Sequence, residues 1–428
     1  MERLYHYLWK TGLRGSEFTD VDGASIEVLD PGVHNQDAGP DFFNSKLKIN
    51  GVEWVGNVEI HVKASDWFRH GHSEDPAYEN VILHVVAVSD KRVSRSDGNL
   101  IPQIELTLPE NFFHTYTLLA DENSGIRCSP MIQSLPEINK TDWLESVGVE
   151  RMQQKASRVK EIYESINGDW EQTCFILLSR GLGFGLNGDP FEMMAKSLPL
   201  RILHHHSDDP LQLESILFGQ AGMLDATIYM FDEYYQAMCR EYYFLARKYG
   251  LKPLRPGLWK YSRTRPQNFP HRRIAFLANS CLGGFSLFSE LLTKATDSDS
   301  LVKVFEMHAE GYWKDHFSFD TEARNAPSSL SQSSRILLAI NVGIPLLYAY
   351  SSVTGDFDMG ERVIGMMQDL PGENNTIIRQ WQSLGFDAKD AMRSQALIHL
   401  RKEYCDKNKC IYCRFGHHFL RRSVQRQS

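Results

Sequence analysis

The chain has 428 residues, of which 42% are apolar and 23% charged, and carries a net charge of −8. A length of this order divides into two or three domains, because single cores seldom grow beyond roughly 250 to 300 residues. The composition excludes extended disorder, and the acidic balance excludes a protein whose whole surface is built to grip nucleic acid.

The N-terminal segment MERLYHYLWKTGLRG has an acidic residue at position 2 and no apolar run ending in small residues, so it does not read as a signal peptide. A cytoplasmic location is therefore expected. Within it, Leu4, Tyr5, Leu8 and Trp9 fall at helical spacing and predict an amphipathic helix over 3–11. Segments 25–29, 45–49, 53–63, 81–89 and 103–108 are rich in Val, Ile and Leu and are separated by Asp-Gly, Pro-Gly and Asn-Gly turn signals, which predicts the strands of one mixed sheet. Between the third and fourth of them, SDWFRHGHSEDPAYEN reads as a short helix interrupted by a loop.

Residues 121–136 read as a linker. Beyond them the pattern changes to helices over 143–166, 170–181, 190–197, 211–218, 225–249, 272–295 and 331–353. The longest apolar stretch, 336–350, contains Asn341 and Pro345 and falls short of the roughly 20 residues a membrane span needs, so it reads as a core helix and no membrane partner is expected. The fold class expected is α+β: a mixed β-sheet module over 1–120, a mainly α-helical domain over 137–387 and a cysteine-rich appendage over 388–428.

The stretch GPDFFNSKLKINGVEWVGNVEIHVKASDW places Asp41 at the start of one strand and Glu59, His61 and Lys63 on alternate positions of the next. Alternation puts these three on one face, with Val58, Ile60 and Val62 on the other. Two carboxylates from adjacent strands form a hard-oxygen pocket suited to Mg²⁺ or Mn²⁺, and His61 or Lys63 beside them can orient or deprotonate water. Asp66, His70, His72, Asp75 and His84 crowd in behind. Imidazoles at this density suit Zn, Fe or Ni, so His70 and His72 are candidate accessory ligands. His84, inside VILHVVAV, reads as a core histidine or a supporting partner, and Tyr78 is placed to approach the pocket.

No Asp or Glu occurs over 242–289, where Arg247, Lys248, Lys252, Arg255, Lys260, Arg263, Arg265, Arg272 and Arg273 interleave with Tyr249, Trp259, Tyr261 and Phe269. Cations that neutralise phosphates beside rings that stack on bases predict a nucleic-acid strand as partner, with Arg255, Trp259, Lys260, Arg263, Arg265, Arg272 and Arg273 in contact. Near the end, Cys405-x4-Cys410-x2-Cys413-x3-His417 supplies a closed ligand set for structural Zn, or three ligands of an iron–sulfur cluster completed by a distant cysteine.

Pro40-Asp41, Glu59-Ile60-His61 and the helical segment before the fourth strand resemble the PD-(D/E)xK nuclease superfamily. That resemblance implies a restriction-endonuclease-like core in which Asp41 and Glu59 hold the metal. The third motif position is usually Lys; here it is His61, with Lys63 one strand repeat later. GPDFFNSKLKI, GNVEIHVKASDW, HGHSEDPAYENVILHVV, RPQNFPHRR and the final cysteines together resemble the bacterial domain-of-unknown-function family 2851 over essentially the whole chain, a likeness that implies no activity.

Three readings follow. The first is a metal-dependent nuclease acting on DNA or RNA through Asp41, Glu59, His61 and Lys63. The second is a non-catalytic nucleic-acid-binding or scaffold protein that keeps a degenerate nuclease fold. The third is a zinc or iron hydrolase acting through His61, His70 and His72.

Overall fold

The computed structural model describes residues 2–425 except 14, 36, 109, 121–124, 230, 263, 324 and 325. Residues 121–124 of the expected linker, and Arg263, lie outside the described residues. The chain forms two compact units, one made of Met1–Lys140 with Arg401–Ser428 and the other of Thr141–Leu400.

The first unit opens with helix α1 (Glu2–Thr11), which buries Leu4, Tyr5, Leu8 and Trp9 as its periodicity requires. Strands β1 (Glu17–Thr19), β2 (Ser25–Asp30), β3 (Val33–His34), β4 (Phe42–Ile49), β5 (Val52–Lys63), β6 (Val81–Val88) and β7 (Gln103–Glu105) form one mixed sheet in the order β1-β2-β4-β5-β6-β7, with β3 paired to β4. Asn50-Gly51 joins β4 to β5 as a two-residue hairpin; both residues have positive φ, 48° and 82°, which the favoured hairpin turn demands.

The β5–β6 pair is parallel and so needs a crossover, which contains the short helix α2 (Asp66–Arg69) and a 3₁₀ turn over Pro76–Tyr78. Val58, Ile60, Val81, Leu83 and Val85 are fully buried on β5 and β6. Each contributes roughly 1.5–3 kcal/mol relative to exposure. A register shift in β4 between Phe42 and Ser45, with Asn44 at φ 54°, bends the strand just after it leaves the polar end of β5.

The cysteine-rich end divides differently from the expected 388–428 appendage. Residues 388–400 group with the helical unit, while 401–428 group with the sheet, where Arg127 Nη1 donates to the carbonyl of Cys405 and Asn139 bonds His418.

The second unit is helical. Its elements include Trp170–Leu182, Gly188–Lys196, Pro210–Gln220 and Glu233–Tyr249. The last starts later than the apolar pattern suggests because Asp232 accepts from the Tyr235 N–H and caps it there. The single helix expected over 272–295 is two, Pro270–Ser280 and Leu287–Lys294, broken at Gly283 and Gly284 with φ of 73° and 104°. The apolar segment runs from Gln332 to Thr354, with a π turn at Ala339–Gly343 accommodating Pro345, and packs Leu338, Ile340, Leu346 and Leu347 into the core.

Glu214 is buried in this core, where one carboxylate oxygen accepts from Tyr234 Oη at 2.7 Å and Trp313 Nε1 at 2.6 Å. Burial pushes its pKa up to about 7 in spite of both donors. The folded chain thus keeps a proton that the unfolded chain releases above its ordinary value, so stability falls as pH rises from about 4.5 through about 7. Glu214→Gln retains an oxygen able to accept both bonds and is expected to flatten that decline in thermal melts across pH 4.5–8. A variant as pH-sensitive as the parent would show that Glu214 is not its source.

Candidate metal centre

Three pieces of local structure converge at the C-terminal end of β5. Alternation sends Glu59 and His61 to one face, and both are almost completely buried, at 4% and 1% exposure. The chain then turns through α2, and Gly71, with φ 75°, lets it reverse so that His70 and His72 both come back towards His61. The ligating atoms of His61, His70 and His72 lie within 4.8 Å of one another. Glu59 Oε1 stands 3.4 Å from His61 Nε2 and 3.3 Å from His72 Nε2. Trp67 lies edge-on to His61, His72 and His84, and Tyr78 stacks on His72 at 3.8 Å, so the rings are fixed from behind.

A chain of hydrogen bonds sets the tautomer of His61. The Gln103 amide nitrogen donates to Ser89 Oγ and the Lys91 carbonyl, leaving its oxygen to accept from His84 Nδ1 at 3.3 Å. His84 Nε2 then accepts from His61 Nδ1 at 2.9 Å. The lone pair of His61 is consequently on Nε2, the atom 3.2 Å from His70 Nδ1. Burial, reinforced by the neighbouring imidazoles, holds the His61 pKa down at about 2; burial also lowers His84 to about 4 and depresses His72. Glu59 is driven the other way, to about 9, first by burial and then by the charge of Asp41. The His61 Nε2 lone pair therefore faces the Glu59 carboxylate 3.4 Å away, two acceptors that a shared proton or a cation reconciles. Three imidazoles and one carboxylate suit a first-row transition ion better than Mg²⁺. Glu59 thus stands beside two of these imidazoles on one side and the Asp41 N–H on the other.

Asp41 sits directly beside this group. Its backbone N–H donates to Glu59 Oε2 at 3.1 Å while its carboxylate accepts from the Ile60 N–H at 2.9 Å and lies 3.2 Å from His6 Nε2. Glu2, His6 and Asp41 form a second group with donor atoms within 4.8 Å of one another. Burial works against protonation of His6, but the hydrogen bond and charge of Asp41 outweigh it and the net shift is upward. A cleft of about 570 Å³, lined among others by Glu2, His6, His34, Asn35, Asp41 and Tyr412, opens onto this side. Its volume is that of an ordinary small-molecule or strand-end site. Glu2 and His6 escaped the sequence reading. Their signal was an i, i+4 polar pair on the helix whose apolar face alone attracted notice.

Other candidates fall elsewhere. Lys63 is exposed at the end of β5, near Asp90. Asp66 accepts from the Lys63 N–H and pairs with Arg69, and Asp75 caps the 3₁₀ turn. Within the helical unit, Arg255, Lys260 and Arg265 are exposed, as a nucleic-acid contact requires. The expectation for Trp259, Arg272 and Arg273 needs correction, because all three are buried, at 6%, 1% and 4% exposure. Trp259 Nε1 donates to the Ala221 carbonyl, Arg272 donates to the carbonyls of His316 and Pro327, and Arg273 lies over the Phe184 ring and donates to Asn268. None can stack on a base or meet a phosphate at the surface. In the sheet unit, Cys405 and Cys413 are buried, and His417 Nδ1 is hydrogen-bonded to Tyr7 Oη.

The relay predicts that Gln103→Leu, which leaves every ring of the centre in place, weakens Co²⁺ or Zn²⁺ binding by roughly 10- to 100-fold in a competition titration. His61→Ala is expected to abolish that binding. Unchanged affinity in the Gln103 variant would show that the tautomer is set by something else.

No curated protein and no solved structure matches the chain. The family match extends over residues 2–376, so it takes in both polar groups of the sheet unit and stops short of the C-terminal cysteines. With that span matched, the chain belongs to the family described as Protein of unknown function (DUF2851).

Proposed function

We propose that the chain is a metal-dependent phosphodiesterase acting on nucleic acid, with a transition ion held by His61, His70, His72 and Glu59 and with Asp41 and His6 as the acid–base pair beside it. The observation that carries this reading is the direct junction of the two groups through the Asp41 N–H and the Glu59 carboxylate. A bound divalent ion would supply Lewis acidity and lower the pKa of water.

The chain's own residues account for the proton traffic. Asp41, fixed by the Ile60 N–H, is placed to orient the attacking water and take its proton as the oxygen adds to phosphorus. His6, its pKa raised by Asp41, is placed to protonate the leaving oxygen as the P–O bond breaks. The cleft beside them gives a phosphodiester its way in. The order α1, β2, β4, β5, α2, β6 is what supports a restriction-endonuclease-like core, and the position of Lys63 is what separates this site from the usual motif. Exposed Arg255, Lys260 and Arg265 support nucleic acid as the substrate class.

The test is incubation of purified protein with labelled single- and double-stranded DNA and RNA in the presence of Zn²⁺, Mn²⁺ or Mg²⁺. Cleavage is expected with the transition ions, reduced by roughly 10²- to 10⁴-fold in His6→Ala and Asp41→Asn and little changed in Lys63→Ala. Neutralising Arg255, Lys260 and Arg265 is expected to lower the salt slope of binding by about one per contact. Metal-dependent stabilisation without cleavage of any substrate would favour the non-catalytic scaffold. Cleavage indifferent to Asp41 and His6 would refute the acid–base assignment.

A further inference from the structure

The run Cys405-x4-Cys410-x2-Cys413 offers three sulfurs, and a closed structural metal site takes four protein ligands. The sequence nominates His417 for the fourth. That imidazole shares its Nδ1 in a hydrogen bond with Tyr7, and burial, followed by the charge of Arg421, lowers its pKa.

A different residue stands at the cluster. Arg127 donates from Nη1 to the carbonyl of Cys405 at 2.8 Å, and its side chain also bonds Cys410, so residue 128 is carried to the C-terminal run from far away in sequence. Cys128 is 8% exposed, Cys405 9% and Cys413 7%, and none of the seven cysteines forms a disulfide. Together with burial, Cys413, Cys405 and Cys410 all act on Cys128 to push its thiol well above the ordinary range, while burial and the same neighbours raise Cys405 to about 12. Thiols near enough to act on one another in this way would repel as thiolates, and a soft cation converts that repulsion into ligation.

We propose that Cys128, Cys405, Cys410 and Cys413 together ligate one thiophilic metal centre, with His417 outside it. Four thiolates fit either a single zinc or an iron–sulfur cluster. In both cases the centre pins the segment after the sheet to the C-terminal helix Arg414–Gln425, closing a loop through most of the chain. Its binding energy becomes folding energy of the sheet unit. This inference is independent of the hydrolase reading and of the histidine-rich site.

The experiment is elemental analysis of the full chain in a His61→Ala background, which removes the other centre from the count. Either about one zinc or iron with acid-labile sulfide is expected per chain. Cys128→Ser should lose this metal as completely as Cys410→Ser, and His417→Ala should keep it. If Cys128→Ser fails to fold, alkylation of the His61→Ala protein in moderate denaturant decides: all four cysteines should resist until a chelator is added and then react together. Absence of metal, full metal in Cys128→Ser, or a Cys128 that alkylates while the other three stay protected would overturn the proposal.

Discussion

Asp41 and Glu59 hold each other in place across the end of the β4–β5 ladder. One gives its N–H to the other's carboxylate, and its own carboxylate takes the N–H of Ile60. Backbone groups that would otherwise be left without partners where β4 begins are thereby satisfied by side chains, and two acids are kept adjacent in a poorly solvated place. Everything polar in the sheet unit is arranged about this exchange: the imidazoles on the Glu59 side, His6 and the cleft on the Asp41 side.

Such an arrangement is electrostatically expensive. An acid as buried as Glu59 favours its protonated form, and burial makes His61 and His72 beside it favour neutrality. The surroundings do nothing to relieve this: Trp67 and Tyr78 exclude water, and Gln103 and His84 direct a lone pair inward instead of a proton. A core would normally avoid such a combination, since buried polar groups are stabilising only when each finds its complement. The divalent cation proposed above would be such a complement for His61, His70 and His72 together.

The helical unit shows the opposite treatment of charge. Along an acid-free stretch, Arg272 and Arg273 are drawn into the interior, where Arg272 meets backbone carbonyls and aromatic faces and Arg273 meets aromatic faces and the Asn268 side chain. Guanidinium is weakly hydrated and planar, which is why it survives this where an ammonium would not. The residues left outside, Arg255, Lys260 and Arg265, keep their hydration and their long-range field.

By itself the sequence determined the opening helix, five of the seven strands (but not the short strands β1 and β3) with their Asn-Gly turn, the interrupted crossover, and Glu59 and His61 on one side of β5. These depend on near-neighbour spacing and on turn residues whose φ is dictated locally. Helix ends were less legible, because an Asp232 cap and a Gly-Gly break outweigh apolar periodicity. Only the tertiary structure decided which distant groups meet. It brought His6 to Asp41, Gln103 through His84 to His61, and Cys128 to the C-terminal cysteines, and it buried Trp259, Arg272 and Arg273. Partnerships between residues far apart leave no periodic trace in one chain, because they are set by how whole elements pack and not by the spacing of any one of them.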